Sequence, residues 1–410
     1  MNFLLILPTS SCKPLINNIF MTIYKEIQAQ ADTMRWWRQT LHQHPETAFD
    51  ETQTAAFIAE KLISFGLDVH QGLGITGVVA SLSQGDSTKK IALRADMDAL
   101  FITEKNQFSY KSQNEGKMHA CGHDGHSAML LGAAKYCAEH GDFNGTVYFI
   151  FQPAEEGRAG ARRMIEDGLF ELFPADCVFG LHNFPDIPAG HFAIKPGATM
   201  AAFDCFEITL SGQATHAAMP HLGNDVLVAA AQLINSLQSI ISRNVNPADS
   251  AVLSITQIHG GNTWNAIPDS AFIRGTFRCF NKEVQALIES RIKQISQATA
   301  DSFDLSAKIA INPENPGYPV TYNTQKETDI AIEVAQTLVG VEQVNLHPIP
   351  SMGSEDFSFM LQKKPGCYVW LGNGSSDGDC LLHNPHYDFN DEILTVGASY
   401  WVKLVESILR

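Results

Sequence analysis

The sequence predicts an α/β fold with a mostly parallel sheet, interrupted by an inserted ferredoxin-like α+β domain. Three observations carry this expectation. Between residues 77 and 181, short β-rich runs alternate with helical periodicity, the rhythm of a parallel sheet. Near residue 200 the order becomes β-α-β-β-α-β, a ferredoxin-like unit of about 110 residues. After the stretch Asn312 to Pro319, with its three prolines, the α/β pattern resumes.

Residues 25–42 have the apolar spacing of a helix, and 53–65 read as a second one, with Thr52 as its cap and Gly66 at its close. Runs 77–82 and 90–95 read as strands, and 127–139, rich in Ala, Leu and Met, as a helix. Strand 146–151 is nearly all apolar, as a strand covered on both faces should be. Helix 160–167 and strand 177–181 follow. The inserted unit contains strand 203–211, helix 225–243, strands 251–258 and 271–280, helix 282–302 and strand 305–311. Helix 325–339, strand 367–372 and helix 392–409 complete the chain. The expected partition is 21–199 with 312–410 as one discontinuous domain and 200–311 as the insert. Residues 1–20 are expected to be a disordered extension or start-site artefact, because the apolar run Phe3 to Leu7 is stopped by Pro8.

At 410 residues, with 45% hydrophobic and 18% charged, the chain can bury a large core in more than one domain. A net charge of −16 repels nucleic acid and anionic membranes. The eight cysteines are scattered without a C-x-x-C pair, which argues against a disulfide framework and for a cytoplasmic, reducing setting. No stretch is apolar enough to span a bilayer.

Ligands of open α/β sheets bind beyond the carboxyl ends of the strands. Asp96 and Asp98 follow strand 90–95, Glu155 and Glu156 follow 146–151, His182 and Asn183 follow 177–181, and His383 and His386 lie beyond 367–372. Cys121, His123, Asp124 and His126 fall in the loop expected to enter helix 127–139. Thiolate and imidazole suit zinc and similar ions, and Gly122 and Gly125 let the backbone bring neighbours onto one ion. Taken singly, Cys121 reads more often as a small buried residue than as a ligand, and His126 reads also as part of a helical first turn. Of the pair Glu155 and Glu156, one can bind metal while the other acts as general base. His216, Asn265 and Arg278 lie in the insert; alone, each reads as structural, although an arginine fork binds carboxylates well. Two motif matches are set aside. Gly72 to Gly77 fits G-x-G-x-x-G but precedes a strand, and Gly374 to Gly378 fits G-x-S-x-G without a helix after the serine.

Seven segments together resemble the metal-dependent aminoacylase and carboxypeptidase family, in the amidohydrolase branch of hippurate hydrolases and indole-acetyl-amino-acid hydrolases. They are Leu93-Arg-Ala-Asp-Met-Asp-Ala-Leu100, Met118 to His126, Phe151 to Gly157, Gly180-Leu-His-Asn183, His216 to Asp225, Met352-Gly-Ser-Glu-Asp-Phe357 and His383-Asn-Pro-His-Tyr-Asp-Phe389. The resemblance implies a two-metal hydrolase of N-acyl amino acids. Cys121, His123, Glu156, His182 and His383 would be the ligands, Glu155 the general base and Asp98 the orienting acid. It implies zinc or manganese, with cobalt or nickel as substitutes. It also implies that the insert dimerises and that His216 reaches the partner's site, with Asn265 and Arg278 holding substrate. Phe101 replaces a usual proline, and Gln213-Ala-Thr215 replaces glycine-rich residues. The rival readings are a dipeptidase or deacetylase on the same scaffold, or a non-catalytic relative.

Overall fold

The computed structural model describes residues 22–314, 316–374 and 381–410. The expected extension 1–20 and residues 375–378 of the G-x-S-x-G run lie outside the described residues.

An eight-stranded sheet forms the larger part of the molecule. Its spatial order is Asp68–Leu73, Gly77–Gln84, Gly145–Gln152, Lys90–Asp96, Cys177–Pro185, Gly366–Gly374, Phe192–Ala193 and Val344–Asn345. The four central strands, Gly145–Gln152 to Gly366–Gly374, are parallel. Antiparallel pairing is confined to the flanks. Alternation decides which side chain meets which layer. Ile91, Leu93, Phe149, Phe179 and Val369 face the helices Ala31–Gln43, Thr52–Ser64, His123–His140, Gln325–Val339 and Leu394–Ile408. Ala92, Tyr148, Ile150, Val178 and Tyr368 face a smaller cluster around Met164, Leu169 and Phe357. Both faces are covered, which is why these strands carry almost no exposed polar residues.

A second sheet has the order Ala251–Gly260, Ser270–Cys279, Ala202–Ser211, Ser306–Ile311, all antiparallel. This is the ferredoxin-like arrangement expected from the element order. Helices Val226–Ser239 and Lys282–Ser302 pack on it around Phe206, Ile208, Leu233, Ile273, Phe277 and Ile288. Each helix is capped by a side chain, Asp225 accepting from Leu227 N and Val228 N, and Asn281 from Glu283 N and Val284 N. The chain enters and leaves this unit side by side. Phe203 and Tyr318 exchange backbone hydrogen bonds of 2.9 and 2.7 Å, and Asn312 N donates to Cys205 O at 2.9 Å.

Several boundaries differ from expectation. Helix 25–42 breaks at Gln30 into Lys25–Ala29 and Ala31–Gln43. The cap position before Thr52 is Glu51, whose carboxylate is used elsewhere; Glu46 instead accepts from Thr54 N at 2.8 Å. Helix 225–243 ends as a π-turn, Ile240–Asn244. Strand Asp68–Leu73 was not expected, because an edge strand exposed along most of its length lacks an apolar alternation. It forms a hairpin with Gly77–Gln84 through Gly72 and Gly74, both at positive φ. The G-x-G-x-x-G match is thus a turn between strands, with no helix N-terminus to hold a phosphate. Two differences reach the candidate site. Helix 127–139 starts at His123, so His123, Asp124 and His126 occupy its first turn. Strand 177–181 runs on to Pro185, so His182 and Asn183 are strand residues.

Candidate metal centre and active site

The site lies where the central strands end. Strand Gly145–Gln152 leads into a turn with three left-handed residues, Ala154 (φ 54°), Gly157 (φ 78°) and Ala159 (φ 55°). This turn points the neighbouring Glu155 and Glu156 at different partners. Gly122 is left-handed (φ 95°) and ends the approach to helix His123–His140. A Cβ there would lie 2.2 Å from Asn183 Oδ1, so only glycine permits the approach.

Cys121, His123 and Glu156 bring ligand atoms within 4.8 Å of one another. Cys121 Sγ lies 3.4 Å from His182 Nε2, and His383 Nε2 lies 3.2 Å from Glu156 Oε1. The structure thus brings all five expected ligands together. Two of the imidazoles are fixed in the same sense. His123 engages Asp98 Oδ1 through Nδ1 at 3.1 Å, and His182 Nδ1 donates to the Asn183 carbonyl at 2.6 Å. Each therefore turns Nε2 toward the cluster, the way a ligating histidine is held by an outer partner. Asp98 has a second task, accepting from Glu156 N at 2.9 Å. His123 Nε2 is buried without a hydrogen-bond partner among the described residues, while Glu156 Oε1, also buried, has the His383 imidazole 3.2 Å away. A buried unpartnered imidazole nitrogen and a buried carboxylate that converge with a thiol fit divalent ions of borderline softness.

His126 and Asp96 also sit close enough to join a metal. Their atoms are already spent. His126 meets Asp96 Oδ1 at 2.6 Å on one side and Asn183 Oδ1 at 2.7 Å on the other. Asp96 Oδ2 accepts from Arg94 at 2.7 Å. This pair supports the wall behind the five expected ligands.

Glu155, Glu355 and Asp356 form a third acidic group. Here Arg94 supplies the countercharge. Its fully buried guanidinium reaches Asp96, Glu355, Asp356 and Gln152 at 2.7 to 3.1 Å. Burial, and after it the charge of Glu355, raises the proton affinity of Glu155 well above the usual carboxylate range. Burial works against charge on Glu156 too, but the hydrogen bond and charge of His383 hold its proton affinity below that range. The adjacent carboxylates are therefore set apart by their surroundings, Glu156 toward its ionised form and Glu155 toward its protonated one.

A cleft of about 470 Å³ opens over these groups. Its apolar walls include Phe184, Met200, Phe203, Trp370 and Leu382. Arg278 is the one arginine or lysine among its described lining residues; it donates to the Met352 carbonyl at 2.7 Å and stacks 4.7 Å from the Phe203 ring. His216 and Asn265 are not brought into this cleft. They are neighbours on the insert, His216 pairing with Ala266 and the Asn265 carbonyl accepting from Ala217 N at 3.0 Å.

The sequence reading assigned no role to Arg94, Glu355 or Tyr318. An arginine inside the apolar run Ile91 to Ala95 was a usable signal, since a charge in a doubly covered strand must be paired. Tyr318 sits in the proline-rich connection and gave no pattern to find.

Fold and site define a metal-binding hydrolase of amide bonds. More specifically, the chain belongs to peptidase family M20/M25/M40, whose sequence model matches residues 92–407. It is similar to hippurate hydrolase of Campylobacter jejuni subsp. jejuni, at 45% identity over 373 residues, covering 91% of this chain and 96% of that protein. It is also similar to N-acetyl-L-cysteine deacetylase of Bacillus subtilis, at 41% identity, covering 91% of this chain and 86% of that protein. The solved structure of the Bacillus subtilis YXEP protein, described as a dinuclear metal binding peptidase from M20 family, matches with a TM-score of 0.80 at 33% identity over 93% of this chain and 99% of that one. The family found is the one that the motifs resemble.

Proposed function

We propose that the protein hydrolyses N-acyl amino acids to a carboxylic acid and an amino acid, with two divalent ions held by Cys121, His123, Glu156, His182 and His383. The observation that carries this is the convergence of those five side chains at one cleft, lined by all of them but the buried His123, beside a sixth group, Glu155, that they leave unused. Bound ions would polarise the scissile carbonyl and acidify a water. Glu155, the carboxylate left outside the five, would take a proton from the attacking water and hand it to the leaving nitrogen. Asp98 keeps His123 oriented and anchors the backbone of Glu156. Arg278 offers its fork to the amino-acid carboxylate. The sulfur ligand favours zinc; manganese is the alternative, with cobalt or nickel able to substitute. The free thiols of Cys137, Cys177, Cys279 and Cys367 support a reducing compartment.

The aromatic walls of the cleft favour an aromatic or bulky apolar acyl group. The deacetylase relative supports a second reading, in which the acyl group is acetyl. Both break the same bond. The test measures metal content by mass spectrometry, then screens benzoyl, acetyl and dipeptide substrates with and without chelator. Turnover of N-acyl amino acids that chelator abolishes and metal restores is expected. Activity insensitive to chelator, or dipeptides as the best substrates, would reject the proposal.

We further propose that residues 200–311 dimerise and that His216 completes the partner's site, where it stabilises the developing oxyanion with Asn265 beside it. Among the described residues, strand Ala251–Gly260 has an unpaired edge, and Leu227, Val228, Val252 and Ile258 are exposed around it. His216→Ala is expected to lose about 10²–10³-fold in kcat, as losing one oxyanion donor does. Mixing it with a Glu155→Gln chain under subunit exchange should restore about a quarter of wild-type turnover, since half of the dimers then hold one intact site. No recovery in verified mixed dimers would rule out action across the interface.

A further inference from the structure

The turn that carries Glu155 and Glu156 is held from several directions. Glu51 Oε1 accepts from Ala154 N, Asp98 Oδ2 from Glu156 N and Asp356 Oδ2 from Ala161 N, each at 2.9 Å. These three carboxylates belong to the same sheet body as the turn. The remaining hold comes from elsewhere. The Tyr318 hydroxyl donates to the Glu155 carbonyl at 2.5 Å and accepts from Ala159 N at 3.2 Å. One buried oxygen thus ties together two backbone groups of the strained segment between Ala154 and Ala159.

Tyr318 belongs to the connection that returns from the insert. Its backbone pairs with Phe203 on the outgoing connection, and Phe203 lies opposite Arg278 in the inserted sheet. Its ring packs edge-on against Phe203 at 6.3 Å and Phe359 at 6.0 Å. A shift of the insert that moves Phe203 and Arg278 therefore moves Tyr318. Through the hydroxyl it pulls on the carbonyl of Glu155.

We infer that Tyr318 is a positioning residue that couples the seating of the insert to the placement of the general base. The inference rests on the reading of Glu155 as that base. Left-handed alanines are costly and persist only where their surroundings over-determine them. Removing one hydroxyl unpairs Glu155 O and Ala159 N together, in a buried place where water cannot easily replace it. A misplacement of about 1 Å at a reacting group can cost 10²-fold in rate.

The test compares Tyr318→Phe, Asn312→Ala, the double variant and Glu155→Gln. Phenylalanine keeps both ring contacts and removes only the hydroxyl. Asn312 grips Asp204 at 2.7 Å and the Cys205 amide at 2.8 Å, so its loss loosens the same crossing without touching the turn. Tyr318→Phe is expected to lower kcat about 10- to 100-fold, with KM within about 3-fold and full metal content. Asn312→Ala should lower kcat alone and add nothing to Tyr318→Phe, because the link is then already cut. Wild-type kcat in Tyr318→Phe, metal loss in step with kcat, or additive losses in the double variant would each overturn the inference. If Glu155→Gln is inactive with full metal, such a failure belongs to Tyr318 alone. If Glu155→Gln turns over normally, both readings fall.

Discussion

Glu155→Gln is expected to lower kcat by about 10²–10⁴-fold, the usual contribution of a general base, while metal content stays at the wild-type level. The separation between the two glutamates is the reason. Glu156 Oε1 meets His383 Nε2 at 3.2 Å and His123 Nε2 at 4.0 Å, so it belongs to the cluster. Glu155 Oε1 meets Asp356 N at 3.4 Å and faces Glu355, so it belongs to the acidic wall. Glutamine keeps the volume of Glu155 and still accepts from Asp356 N, but it has no lone pair basic enough to take a proton from water. Glu156→Gln should behave oppositely and lose metal with activity. Parallel measurement of kcat and bound metal separates the two roles. A Glu155→Gln enzyme that is fully active with its ions in place, or that loses them, would remove Glu155 from the role of base.

Arg94→Met is expected to destabilise the protein by about 3–5 kcal/mol, the range for breaking a buried ion pair from one side. Three buried carboxylates, Asp96, Glu355 and Asp356, share this guanidinium. Burial already raises the proton affinity of Asp356 well above the carboxylate range, although Arg94 opposes that rise. Without Arg94, the carboxylates face each other in a place where water cannot screen them. The urea midpoint of the metal-loaded protein is the measurement. Adding Glu355→Gln to Arg94→Met should recover part of the loss, because one of the stranded charges goes with it. An unchanged midpoint in Arg94→Met would contradict the assigned network.

The fold class was legible because the alternation of strand and helix is a local property, and the central strands are covered on both faces. Edges were not legible. Asp68–Leu73 pairs through its backbone while leaving most of its side chains exposed, so its sequence has no reason to alternate. The proposed ligands were legible as residue types, since glutamate and histidine follow successive strands and Cys121 and His123 share one glycine-containing loop. Their supports were not. Asn183 locks His126, and Glu51 locks Ala154, through contacts that span 57 and 103 residues. Nothing within a short window of sequence records such pairings. The starts of helix His123–His140 and the end of strand Cys177–Pro185 were misplaced for a related reason. Polar ligand residues look like loop, although here they continue regular elements whose backbone hydrogen bonds are satisfied.

The anchoring of His123 and His182 through Nδ1 has a consequence for how the protein meets its ions. The proposed receptor is assembled by contacts that belong to the folded chain, on a helix and a strand of the main core. Ion uptake then has little ordering left to drive, unlike small domains that fold only around their metal. Occupancy still adds to stability by mass action, about 2.7 kcal/mol per site once the free ion reaches a hundred times its dissociation constant. In a cell, scarcity of the ion would idle this enzyme without unfolding it. The stock of folded protein could then return to work as soon as supply recovered.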